Sequence, residues 1–246
     1  MRLFPLILLA LLAPGGCRSK PRPPQSRLIV WAWERPEDLR FASGSVEVAA
    51  LTGFIELSKG DVTARGRPFP VKLKRPPDLN VVHVEIAPAA PPEWTPVIRR
   101  RLAAAILHYA QIVPARRVQL DFEVKASERQ ILLEAVSDLR GGLPKGTFLS
   151  MTALASWCDT ETWLSSAPVD EIVPMLFRMQ PGGAPLKNRL AAGRDFRNPR
   201  CRTALGISTD SPIERAPPGR RVYLFSPRSW TEADFQAARR AVEAWR

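Results

Sequence analysis

Histidine and cysteine are scarce in this sequence, with two and three residues in a chain of 246. His83 and His108 have no ligand spacing around them, which argues against a zinc site, and no metal is expected. No Gly-x-Ser-x-Gly elbow is present, so the usual esterase arrangement is set aside. No dinucleotide fingerprint follows the first apolar run, and Gly142–Thr147 carries the residues of a phosphate loop in the wrong order. No cofactor is therefore expected. Nowhere does an apolar run reach the roughly twenty residues of a spanning helix.

The N-terminus is more telling. Arg2 precedes the apolar run Leu3–Ala13, then Pro14-Gly15-Gly16 and Cys17. A positive start, a short apolar stretch and small residues before a cut site describe an export signal over residues 1–16. Cys17 after two glycines resembles the bacterial lipoprotein signal, although Pro14 stands where Leu is usual. The resemblance implies that Cys17 is a lipid anchor facing the periplasm or the outside. Residues 17–27, rich in Pro, Lys and Arg, read as an extended tether, and 28–246 as one folded domain. Export makes a disulfide between Cys158 and Cys201 the favoured pairing.

The formal charge of +12 comes mostly from arginine. A basic balance suits nucleic acid, anionic lipid or acidic polymers. These arginines are scattered, however, and nucleic acid conflicts with export, so it is not an expected partner. The single run, Arg99-Arg100-Arg101, falls on a predicted helix where a solvated face explains it.

Strand-like runs recur along 28–246: Leu28–Trp33, Val46–Leu57 with an extension towards Leu73, Asn80–Ile86, Val118–Val124, Thr147–Leu154, Ile172–Phe177, Thr203–Ser208 and Arg221–Phe225. Helical patterns lie between several of them. Glu93–Ile112 spaces Val97, Leu102, Ala105, Ile106 and Tyr109 on one face. Ser127 is the expected cap of a second helix, ended by Gly141-Gly142. Thr231–Trp245 closes the chain with Phe235, Ala238, Val242 and Trp245 on one side. Eight strands alternating with helices predict an α/β fold of the (β/α)8 TIM-barrel type, somewhat reduced in helices. An open doubly wound sheet is the competing architecture.

In such barrels the working residues stand at the C-terminal strand ends. Strand alternation puts Gln119, Asp121 and Glu123 opposite Val118, Leu120, Phe122 and Val124. The neighbouring run sets His83 and Glu85 against Val82, Val84 and Ile86. The apolar sets must meet the helices, so the polar sets share one cavity. Crowded carboxylates there should keep one proton near neutrality, as general acid catalysis on a glycosidic oxygen requires. Alternatively, Arg35 or Arg178 neutralises them and the cluster only holds the barrel together. Trp33 and Trp157, at strand ends, could stack on sugar rings or simply pack. Asp170-Glu171 precedes its strand and gets no catalytic role.

Four long segments carry a resemblance: Trp31-Ala32-Trp33-Glu34-Arg35-Pro36-Glu37-Asp38-Leu39, Val118–Glu123 with Ser127-Glu128-Arg129, Leu149–Cys158, and Pro168–Arg178. They resemble a family of bacterial domains of unknown function grouped with glycoside-hydrolase-like barrels. The resemblance implies the fold over most of 28–246, and no activity. A more distant likeness is to chitinase-type family 18 hydrolases, whose fourth strand ends in Asp-x-Asp-x-Glu. Asp121-Phe122-Glu123 matches its last part, which implies Glu123 as acid and Asp121 as its partner. Gln119 and Arg116 replace two earlier acids, and Met175-Leu176-Phe177 lacks the hydroxyl of that family's Met-x-Tyr. Substrate-assisted cleavage in its usual form is therefore not implied.

The expectation is a monomeric envelope lipoprotein acting on a glycosidic bond of a carbohydrate. Glu123 and Asp121 would be catalytic, with Trp33, Glu34, His83, Glu85, Gln119, Trp157 and Arg178 shaping the subsites. The alternative is a lipid-anchored barrel that binds a glycan or an envelope protein without catalysis.

Overall fold

The structure, a computed structural model, describes residues 27–42, 44–179 and 183–245. The expected signal, Cys17 and the tether up to residue 26 lie outside the described residues. Eight parallel strands close on themselves: β1 (Leu28–Ala32), β2 (Val46–Ser58), β3 (Leu79–Ile86), β4 (Arg117–Phe122), β5 (Phe148–Leu154), β6 (Glu171–Met175), β7 (Ala204–Ser208) and β8 (Arg221–Phe225). Strand β1 pairs in parallel with both β2 and β8, so no barrel edge is left open. That closure rules out the open doubly wound sheet. The strands are buried on both faces, which explains why β1 reads Leu-Ile-Val-Trp-Ala without alternation.

Helices are fewer than one per strand. The described elements are α1 (Pro96–Gln111), α2 (Arg129–Gly142), the single turn α3 (Trp157–Thr160), α4 (Gly183–Ala191) and α5 (Glu232–Glu243). Among the described residues none follows β1, β2 or β7, and none is long and apolar enough to cross a membrane. After β2 the chain instead folds back as an antiparallel strand, Asp61–Gly66, making a hairpin that stands above the barrel. The expected extension towards Leu73 is thus a return strand. It is followed by the two-residue ribbon Val71–Lys72 beside Glu37–Asp38.

Local detail departs from expectation in two places. Thr95 caps α1 and Pro96 starts it, so Ile98, Leu102, Ile106 and Ala110 form the buried face while Val97 is exposed. Ser127 does not cap α2: a 3-10 turn, Ala126–Glu128, leads into it, and the Glu128 carboxylate accepts the Lys125 N–H at 2.8 Å. Gly142 ends α2 as expected, and a Cβ there would meet the Leu107 side chain of α1 at 2.4 Å. Its small size lets α1 and α2 pack closely.

The barrel interior is layered by alternate strands. At its N-terminal end Glu47, Arg117, Glu171 and Arg221 come from β2, β4, β6 and β8. Arg117 holds both Glu47 oxygens at 2.8 Å, and Glu171 accepts from Arg221 Nε at 2.6 Å and Tyr223 OH at 2.8 Å. Pairing two acids with two bases offsets the cost of burying them. Above them Ile29, Leu79, Val81 and Val173 make an apolar plug. Everything polar above the plug belongs to the other end.

Candidate functional site

A cavity of about 530 Å³ lies over the C-terminal ends of the strands. Its position follows from the chain's alternation, because β3 and β4 bury Val82, Val84, Leu120 and Phe122 against the outer layer. His83 and Asp121 are consequently turned inwards, in register with each other across the β3–β4 pair.

Asp121 is buried and held at both oxygens. Thr152 on β5 donates its hydroxyl to Oδ1 at 2.6 Å, and His83 Nδ1 donates to Oδ2 at 2.6 Å. A carboxylate only accepts, so the proton sits on Nδ1. The other imidazole nitrogen, Nε2, lies 3.8 Å from a Glu85 oxygen. Burial works against a charged His83, but the hydrogen bond and charge of Asp121, aided by Glu85 and Glu123, outweigh it and raise its pKa.

Glu123 follows the last residue of β4 and lines the cavity at its rim. Its surface is open to the cavity, yet protein atoms ring it closely. That desolvation, followed by the charge of Asp121, raises its pKa, against the opposing pull of His83 and Arg178. Glu123 therefore keeps its proton to higher pH than a free glutamate does.

The opposite side of the cavity is aromatic. Trp31 and Trp33 stack with ring centres 5.3 Å apart, and Phe225 meets Trp31 edge-on at 3.8 Å. Phe177 continues the wall at 4.5 Å from Phe225. Trp33 also touches the His83 ring edge-on at 5.0 Å, so the two walls join. Beneath, Gln119 is fully buried and accepts the Trp31 indole N–H at 2.8 Å. Gln119 fixes the floor and does not itself line the cavity.

Other anticipated residues fall differently. Trp157 is buried in the outer layer against Trp163, at 5.3 Å, because the chain turns into α3 directly after β5. It does not reach the cavity. Glu34 faces the hairpin, where it pairs with Arg65, whose guanidinium lies 4.4 Å over the Phe54 ring; that hydrogen bond lowers the Glu34 pKa despite partial burial. Arg178 is exposed at the cavity with φ of 51°, a left-handed backbone that costs a side-chain-bearing residue on the order of 1 kcal/mol or more. Arg35 also lines the cavity, but its guanidinium donates to the Ser226 and Pro227 carbonyls at 2.6 and 3.1 Å and does not neutralise the acids.

Cys158, in α3, and Cys201, in the 3-10 turn Pro199–Arg202, form a disulfide with Cα atoms 6.0 Å apart. It ties the segment after β5 to the segment before β7. The sequence pattern did not single out several lining residues, among them Trp31, Phe177 and Phe225 of the aromatic wall, Ser208 at the end of β7 and Asp210 just beyond it, the last two sharing a hydrogen bond. Thr152 was also missed, and the same alternation applied to β5 would have found it. Among the described residues, no group of three or more His, Cys, Asp or Glu side chains could hold a metal ion.

No protein family, curated protein or solved structure matches the chain.

Proposed function

We propose that this protein acts on a glycosidic bond of a carbohydrate, with Glu123 as general acid and Asp121 as a fixed negative charge beside it. The observation that carries the reading is the raised pKa of Glu123 in a cavity with an aromatic wall opposite. A carboxyl that keeps its proton to higher pH than a free glutamate suits departure of a sugar oxygen, and a flat indole suits the apolar face of a pyranose. Asp121, clamped by Thr152 and His83, orients the substrate and stabilises positive charge developing on it.

The barrel itself favours the TIM type. Followed from strand to strand below the irregularity at Leu51/Gly53, the registers re-enter β1 eight residues out of step, which is the shear of (β/α)8 barrels. We further propose export to the cell envelope, with anchoring through Cys17 and a monomeric domain. The described chain starts at the barrel's N-terminal pole, so an anchor there would leave the cavity facing away from the membrane.

The test is turnover. Wild-type protein should release reducing ends from a set of envelope and extracellular polysaccharides, and Glu123→Gln should lose about 10²-fold or more of that rate. Equal rates would remove Glu123 as the acid. One observation favours a second reading, glycan binding without catalysis: both Asp121 oxygens are already engaged, which suits a binding group. In that case no polymer yields product, and Glu123→Gln changes affinity alone.

A further inference from the structure

The cavity has two chemically different walls, and together they restrict what fits. One is the aromatic surface of Trp31, Trp33, Phe225 and Phe177. The other is acidic and spans three adjacent strands. Glu85 and Glu123 line it above the His83–Asp121 pair, and Asp210 lines the cavity from the far side. Glu56 is in direct register with Glu85 across the β2–β3 pair and extends the acidic wall onto the hairpin. Ile55 and Leu57 on one strand, and Val84 on the other, are buried in the outer layer, so Glu56 and Glu85 share the opposite face.

Like charges in register on neighbouring strands repel and destabilise a sheet. Nearby cations do little to relieve it. Arg35 is engaged with carbonyls and Glu37, and Arg65 pairs with Glu34; His83 is held by Asp121 and reaches Glu85 only at 3.8 Å through its other nitrogen, so the relief is partial. Arg178 is the remaining basic side chain lining the cavity among the described residues. A chain of net charge +12 thus presents a cavity with a surplus of acid. The acids are too dispersed for a metal ion, since among the described residues none of them groups to hold one. A row of spaced carboxylates facing stacked indoles fits a larger ligand that is cationic at intervals and flat between.

We propose that the substrate is a glycan with free ammonium groups, a de-N-acetylated amino-sugar polymer, whose pyranose face rests on Trp33, backed by the buried Trp31, while its ammonium groups meet Glu85 and Glu56. The proposal rests on the carbohydrate reading above and specifies its substrate class. The ligand supplies the charge that the acidic row lacks. An anionic glycan is repelled by the same row, and an N-acetylated one leaves it unneutralised.

The experiment measures binding by tryptophan fluorescence in mildly acidic buffer, with Trp31 and Trp33 as reporters. The probes are glucosamine oligomers, their N-acetylated counterparts and galacturonate oligomers, the first two in more than one linkage. Glucosamine oligomers should bind on the order of tenfold tighter than the N-acetylated ones, the combined worth of two partly exposed ion pairs. The Glu56→Gln/Glu85→Gln double variant should lose that preference. It should also melt no lower than wild type, because removing the repulsion relieves the free protein, so misfolding does not confound the result. Equal or tighter binding of N-acetylated or galacturonate oligomers overturns the ammonium assignment and leaves the carbohydrate reading standing. If no oligomer of any kind binds the folded protein, both fail.

Discussion

His83 and Asp121 face each other across β3 and β4 with Nδ1 and Oδ2 2.6 Å apart. The pair is the hinge between the acidic and aromatic walls, because the same imidazole meets Trp33 at 5.0 Å and Glu85 at 3.8 Å. Its chemistry makes the fold sensitive to pH. A histidine whose pKa is raised in the folded state stabilises that state below its unfolded value, about 6.5, and the gain is lost as pH rises through the folded value. His83→Gln should therefore be less stable than wild type by roughly 1.5–3 kcal/mol on the acid side of that window. The two proteins should converge at alkaline pH. Urea melts over a pH series check this, and a difference independent of pH would contradict it.

Glu123 behaves in the opposite sense. The fold disfavours its ionised form, so wild type loses stability as pH climbs from the unfolded value of 4.5 through the raised folded one. Glu123→Gln escapes that loss. The variant should match wild type in acid and exceed it slightly at neutral pH, by up to about 0.5 kcal/mol for so accessible a side chain. A variant less stable than wild type at neutral pH would show that Glu123 holds the barrel together instead of serving at its mouth.

Gly53 marks the point where β2 shifts register against β3, between Leu51 and Gly53. A Cβ there would fall 2.2 Å from Cγ of Tyr109, which leans from α1 over the strand. Gly53→Ala should cost about 1–3 kcal/mol through overpacking. Adding Tyr109→Ala should recover part of that cost in a double-mutant cycle, whereas strict additivity would place the defect elsewhere. The shift also sets the wall: beyond it Phe54 stands beside His83, with ring centres 4.9 Å apart.

How much of this was legible depends on parity. Strand alternation placed Asp121 and His83 inside the barrel correctly, because a buried apolar face on β3 and β4 leaves one direction for their polar residues. Parity failed where strands end. Trp157 sits three residues beyond Leu154, the last inward-facing position of β5, and the turn into α3 carries it to the outer layer. Asp210 lies in the turn directly after β7, outside the apolar run that marks the strand in the sequence. The hairpin after β2 was hidden as well, since its return strand is mostly exposed and lacks an apolar rhythm. Helix faces shifted by one residue where Pro96 sets the start of α1.

The disulfide closes 43 residues between Cys158 and Cys201. Replacing both by Ala should lower stability by roughly 2–4 kcal/mol, mostly by releasing the unfolded chain. Thermal melts of the variant, and of reduced wild type, should fall together. No change in either would mean that the bond contributes nothing to the fold.

The central claim is that Glu123 donates a proton to a glycosidic oxygen, and reducing-end release from mixed polysaccharides measures it most directly. The account predicts steady release by wild type, about 10²-fold or more slower release by Glu123→Gln, and unimpaired folding of that variant. Release at the wild-type rate by folded Glu123→Gln would contradict it.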